Sequence, residues 1–184
     1  MKRPLSVSAT RLLLLLPGAL AACASEPVFP PNVTRTVDPA MQFGIFNAEA
    51  DTYLKGQTVL LGGRIVSAER RGAGILIVAQ ELPIQERPSR RPVDNVKPIG
   101  DFVFVYQGTV EPAGLQHANK FLLIGEMRGS ETIVIDGASK AVPYLIARCL
   151  HVWKTGRYAI NDFPDLPDGF YPLAEETYCL PQGR

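Results

Sequence analysis

The chain has 184 residues, 46% of them hydrophobic and 20% charged, with a formal net charge of +1; this fits one domain with a core of ordinary size. A near-neutral balance excludes the basic footprint of a nucleic-acid binder, and three cysteines with two histidines leave little for a zinc site.

The first segment is distinct from the rest. Lys2, Arg3 and Arg11 give it a basic start with no acid, and Leu12 to Ala22 is then apolar or small. Those 11 residues make roughly 16 Å of helix, too short for a hydrocarbon core of about 30 Å. A basic start, a short apolar run and small residues at its end form the pattern of an export signal. Leu20-Ala21-Ala22-Cys23 resembles the lipobox of bacterial lipoproteins: small residues fit a narrow peptidase cleft, and a cysteine thiolate can be alkylated to a thioether. The alternatives are an ordinary signal peptide with a cysteine nearby, or a short buried helix. The resemblance implies cleavage before Cys23, a signal peptide over 1–22, and three acyl chains (palmitate among them) on Cys23. Ala24, standing where aspartate marks inner-membrane retention in the lipoprotein sorting rule, points to the outer membrane; the periplasmic face is the one expected. Without Lys2, Arg3 and Arg11, 16 of the 19 basic residues face 18 acidic ones, a net charge near −2.

Residues 23–42 read as a lipidated N-terminus and an extended tether with little structure of its own, given Pro27, Pro30 and Pro31. A short helix is expected over Asn47 to Leu54, with Asn47 as N-cap and Gly56 after its end. A β-barrel domain is expected over 43–155. Gln57 to Val66 reads as a strand whose paired Gly62-Gly63 suggests a bulge or sharp bend. Gly72-Ala73-Gly74 marks a hairpin and Ile75 to Gln80 the returning strand. Leu82 to Gly100 is a long proline-rich excursion carrying Arg87, Arg90 and Arg91. These three are a solvated cluster or, in a second reading, a contact for anionic headgroups or lipopolysaccharide phosphates. Asp101 to Tyr106 is a strand with Phe102 and Phe104 on one face. Phe121 to Met127 is another, followed by a turn at Arg128-Gly129-Ser130; Thr132 to Ile135 and Val142 to Trp153 complete the set. With no helical period between them, the strands imply antiparallel hairpins. The fold class expected is all-β: a small antiparallel, OB-like barrel with one short N-terminal helix and an irregular Pro/aromatic-rich C-terminal tail over 156–184.

Gly56-Gln57-Thr58-Val59-Leu60-Leu61-Gly62-Gly63-Arg64-Ile65 resembles the G-x-x-V-x-x-G-G-x-I segment of the starvation-inducible outer-membrane lipoprotein (Slp) family. Further likenesses follow in that family's order: Leu82-Pro83-Ile84, Pro98 to Phe102, Glu111-Pro112, Gly125 to Gly129, and Tyr144 to Trp153. Asp101 stands where the family has arginine. The resemblance implies an outer-membrane address, a β-rich fold and an association with stress, with no established catalytic activity.

Chemistry-bearing residues are few. Cys149 and Cys179 remain after Cys23 goes to lipid, an even pair in an oxidising compartment and so a disulfide candidate; the alternative is two free thiols. His117 falls in a loop, and His151 in a strand beside Trp153, where packing is the commoner role. Arg148 adjoins Cys149, but neighbouring strand residues point to opposite faces. Asp162, Asp165 and Asp168 lack EF-hand spacing, and no nucleophile elbow, metalloprotease motif or P-loop occurs. No catalytic residue, metal ligand or cofactor is therefore assigned. The reading favoured is a non-enzymatic, lipid-anchored envelope lipoprotein that is structural or recruits an envelope partner. The competing one is a periplasmic small-ligand binding module on a lipid tether. An interior filled by Phe102, Phe104, Ile75, Ile77 and Ile146 favours the first; an aromatic-lined opening favours the second.

Overall fold

The computed structural model describes residues 27–37, 55–85, 90–110, 112–135, 137–160, 165–166, 169–170 and 173–181. Among these the fold is all-β. β1 (Thr58–Arg71), β2 (Gly74–Leu82), β3 (Asp101–Tyr106), β4 (Lys120–Ile135), β5 (Ala138–Trp153) and β8 (Glu175–Cys179) form one sheet, and β6 (Asp165–Leu166) pairs with β7 (Gly169–Phe170). β1 pairs antiparallel with both β2 and β4, β2 with β3, and β4 with β5. β3 lies parallel to the middle of β5, from Tyr144 to Ala147, so the five pairings return to the strand from which they start. The last part of β5, from Cys149 to Trp153, takes β8 as its antiparallel neighbour.

Alternation along these strands builds three apolar layers. The interior holds Val59, Leu61, Ile65, Ile75, Ile77, Ala79, Phe102, Phe104, Phe121, Leu123, Leu145 and Leu150. Phe104 meets Phe121 at 5.3 Å and Phe102 at 6.0 Å between ring centroids, within the range of favourable aromatic pairs. On the outer face of β4 and β5, Leu122, Ile124, Cys149 and Trp153 pack with Phe29, Val33 and Ile160. On the outer face of β2 and β3, Leu76 and Val103 pack with Ile135 and Val142. That third layer exists because β4 and β5 continue past β1 as a paired arm, which turns at Gly137 (φ 77°) and folds back over the sheet.

Several expectations are corrected, and bulges explain most of them. Gly62 and Gly63 lie in an unbroken ladder; the bulge falls at Val66, between Ile65 and Ser67. The glycines serve close approach instead: a Cβ on Gly62 would stand 2.8 Å from Ile84 Cγ1, and one on Gly63 2.6 Å from the Gln80 carbonyl. No turn interrupts β4 at Arg128-Gly129-Ser130, where a register shift between Met127 and Gly129 marks a second bulge. A third, at Arg148, reverses the phase of β5. Leu150 and Val152 face the interior beyond it and Leu145 and Ala147 before it, so the half-buried Ile146 is not an interior residue.

The N-terminal segment is not a bare tether. Pro31–Thr34 form one helical turn, α1, with proline at its first position, and Phe29 and Val33 are 5% and 6% exposed. The helix expected over Asn47 to Leu54 lies outside the described residues. The tail is not wholly irregular either, since β8 is a full member of the sheet. The proline-rich excursion doubles back through an Ile84–Pro92 bridge, with Gln85 donating to the Arg91 carbonyl and Val93 to that of Pro83.

Candidate functional site

The described surface carries a polar cleft where β1, the start of β4, the proline-rich excursion and the beginning of the tail meet. It encloses about 420 Å³ and is lined by Arg64, Asp94, Ala118, Lys120, Arg157, Tyr158 and Ala159. Lys120 opens β4 directly opposite Arg64 of β1. Its ammonium donates to the Tyr158 carbonyl at 2.6 Å and the Gly156 carbonyl at 3.1 Å and lies 3.8 Å from Asp94 Oδ2, both side chains being 6% exposed. Burial lowers the Lys120 pKa; the Asp94 charge opposes that shift and the Arg64 charge adds to it. Asp94 Oδ2 also accepts from the Ile160 amide at 2.8 Å, and Asn119 Oδ1 accepts from Gly156 N. The network fastens residues 156–160 to the sheet.

Arg64 is held differently. Its Nε donates to Gln80 Oε1 at 2.8 Å, and the Gln80 amide donates to Asp101 Oδ1 at 3.2 Å. Its terminal nitrogens have no partner among the described residues. Arg157 stands at the rim, its guanidinium 5.3 Å from the Tyr158 ring centre and 3.4 Å from that hydroxyl. Two guanidiniums thus face a cleft whose other charges, Lys120 and Asp94, neutralise each other.

The sequence-predicted residues are distributed as follows. Leu20, Ala21, Ala22 and Cys23 lie outside the described residues, as do Arg87, Asp162 and Asp168; Asp165 begins β6. Cys149 and Cys179 stand directly opposite across β5 and β8, joined by a disulfide with a Cα separation of 4.1 Å. Arg148 points away, to Glu126 at 2.9 Å, while Cys149 is fully buried. Arg90 is exposed with φ 46° and Arg91 half-buried. His117 is exposed, its Nδ1 2.9 Å from the Val66 carbonyl.

His151 is buried, edge-on to Trp153 at 4.3 Å, with Nδ1 2.7 Å from Thr177 Oγ1. Its Nε2 lies 3.4 Å from Glu175 Oε2 but makes no hydrogen bond of acceptable geometry. Burial lowers its pKa, partly offset by the Glu175 charge. The polar cleft described above is not lined by this histidine. Among the described residues no three His, Cys, Asp or Glu side chains gather as metal ligands, and no helix is long and apolar enough to cross a membrane.

Sequence reasoning missed Glu81 and the cleft. Glu81, 5% exposed, lies opposite Gly63 and therefore on the face where the Phe121 ring stands. Its Oε2 has no hydrogen bond, and burial pushes its pKa up to about 8. The cleft residues carry no local signal: Asp94 and Lys120 belong to separate segments that only the folded sheet brings together.

Residues 20–178 match the family model described as the outer membrane lipoprotein Slp family. The class is therefore that of an outer-membrane lipoprotein of the cell envelope. Within it, the chain belongs to the Slp family, in agreement with the motif order from Gly56 to Trp153. No curated protein matches the sequence. Among solved structures, a small single-stranded DNA-binding protein from Streptomyces coelicolor is similar at 11% identity. The match covers 52% of this chain and 92% of that one, with a TM-score of 0.31; likeness of that degree carries no weight for fold or ligand.

Proposed function

We propose that the protein is cleaved before Cys23, carries three acyl chains there, and presents a small closed OB-like barrel on the periplasmic face of the outer membrane. It acts there as a non-enzymatic structural or partner-recruiting element connected with envelope stress. In this reading residues 1–22 are the signal peptide, 23–42 join lipid to domain, 43–155 form the barrel and 156–184 the tail. The returning cycle of five pairings supports the barrel. The observation that carries the choice between structural element and ligand module is the filled interior. Phe102, Phe104, Ile75 and Ile77 occupy it together with Phe121 and Leu145, where a ligand would otherwise sit. Three acyl chains make attachment effectively permanent, since each buried methylene contributes about 0.8 kcal/mol.

The test is membrane separation on a density gradient with wild type and Cys23→Ser. Wild type is expected in the outer-membrane fraction and Cys23→Ser outside it. A wild-type protein in the soluble fraction would overturn the reading. Protection from protease in intact cells, lost on outer-membrane permeabilisation, is the outcome expected for the periplasmic face.

A further inference from the structure

We propose that the cleft between Arg64 and Arg157 binds a phosphate group, and that this phosphate belongs to a lipid headgroup of the membrane carrying the protein. The choice of source rests on the lipid-anchor reading above; the phosphate chemistry does not.

The charge balance comes first. Lys120 spends its donors on two carbonyls and Asp94, and Asp94 is matched by Lys120 and the Ile160 amide. The charges left to a ligand are two guanidiniums. Arginine presents a planar fork of donors suited to phosphate oxygens. At Arg64 that fork is already oriented by the Gln80–Asp101 chain, which engages Nε alone, so little side-chain freedom is lost on binding. Arg157, resting against the Tyr158 ring, approaches from the tail side. About 420 Å³ falls within the ordinary size of small-molecule sites and suits a headgroup better than a bare ion.

Position then favours a membrane source. Ile160, next to the cleft-lining Ala159 and tied to Asp94, packs in one apolar layer with Phe29 and Val33. Phe29 is six residues beyond Cys23, a reach of at most about 20 Å. The folded domain is thus held close to its anchor on the side where the cleft opens.

The experiment uses the full-length processed protein in a phosphate-free non-ionic detergent. It is titrated calorimetrically with inorganic phosphate, with phosphatidylglycerol mixed micelles and with fatty-acid mixed micelles. Saturable binding of phosphatidylglycerol is expected, weakened about tenfold in Arg64→Gln and again in Arg157→Gln, and unchanged in Arg128→Gln. Arg157 is exposed, so its variant separates loss of binding from loss of fold. Binding of inorganic phosphate with no gain for the lipid would keep the site and overturn the membrane source. Unchanged lipid binding in the double variant, or equal binding of the fatty acid, would overturn the site. A protein without acyl chains that still binds through Arg64 would sink the anchor reading and leave the cleft standing.

Discussion

Two coverings of the same sheet combine the same forces in different proportions, and only one of them adds a covalent tie. The β4–β5 arm lies over β2 and β3 through an apolar seam of Leu76, Val103, Ile135 and Val142, with two partly exposed ion pairs beside it, Arg71–Glu131 at 2.8 Å and Lys140–Asp101 at 3.2 Å. The described part of the tail has apolar contacts too, through Ile160, Leu173, Tyr178 and Leu180, but it adds ties of other kinds. It is held by the Lys120 network, by the β8 ladder and by the Cys149–Cys179 bond. A hairpin arm is continuous with the sheet and brings its own backbone partners, so burial suffices. A chain end has no such continuity, and directional or covalent ties replace it.

The largest expected effect tests the tail's polar lock. Lys120→Ala leaves Asp94 buried without its cation and should cost about 3–5 kcal/mol in chemical denaturation; a loss below about 1 kcal/mol would show that the lock is dispensable. Removing the bridge by Cys149→Ala with Cys179→Ala should cost about 2–4 kcal/mol, and early loss of hydrogen-exchange protection should be confined to β8. On the arm, Ile135→Ala should cost about 2–3 kcal/mol while leaving β8 protected.

Glu81 belongs to neither covering and serves as a control on both. Its folded pKa of about 8 exceeds the ordinary 4.5, so the native state holds a proton that the unfolded chain releases. The contribution is full below pH 4.5 and is lost as pH rises through 8. Glu81→Gln should abolish that decline and add on the order of 2 kcal/mol at pH 8, as read by urea midpoints across pH. The smallest effect is Arg71→Gln, worth at most about 1 kcal/mol because the pair is solvated; a larger loss would mean that the arm, too, depends on charge.

What the sequence discloses follows the same division. Strands such as Asp101 to Tyr106 announce themselves by alternation, and the cysteine pair by its even count. The bulges at Val66, Arg128 and Arg148 do not, because one extra residue reverses the facing of all that follow. That is why Ile146 reads as interior and Arg128 to Ser130 as a turn. Phe29 and Val33 are hidden among prolines that suggest a spacer, though a proline at the first position of a helical turn is well placed. The Arg64–Asp94–Lys120–Arg157 cleft is assembled from four separated segments and has no one-dimensional signature.

The most direct measurement of the central claim is the intact mass of the membrane-extracted protein, with and without reduction. The account predicts a chain beginning at Cys23 with three acyl chains, gaining two hydrogens on reduction as the Cys149–Cys179 bond opens. An unmodified mass, with residues 1–22 still attached or removed at another bond, would contradict it.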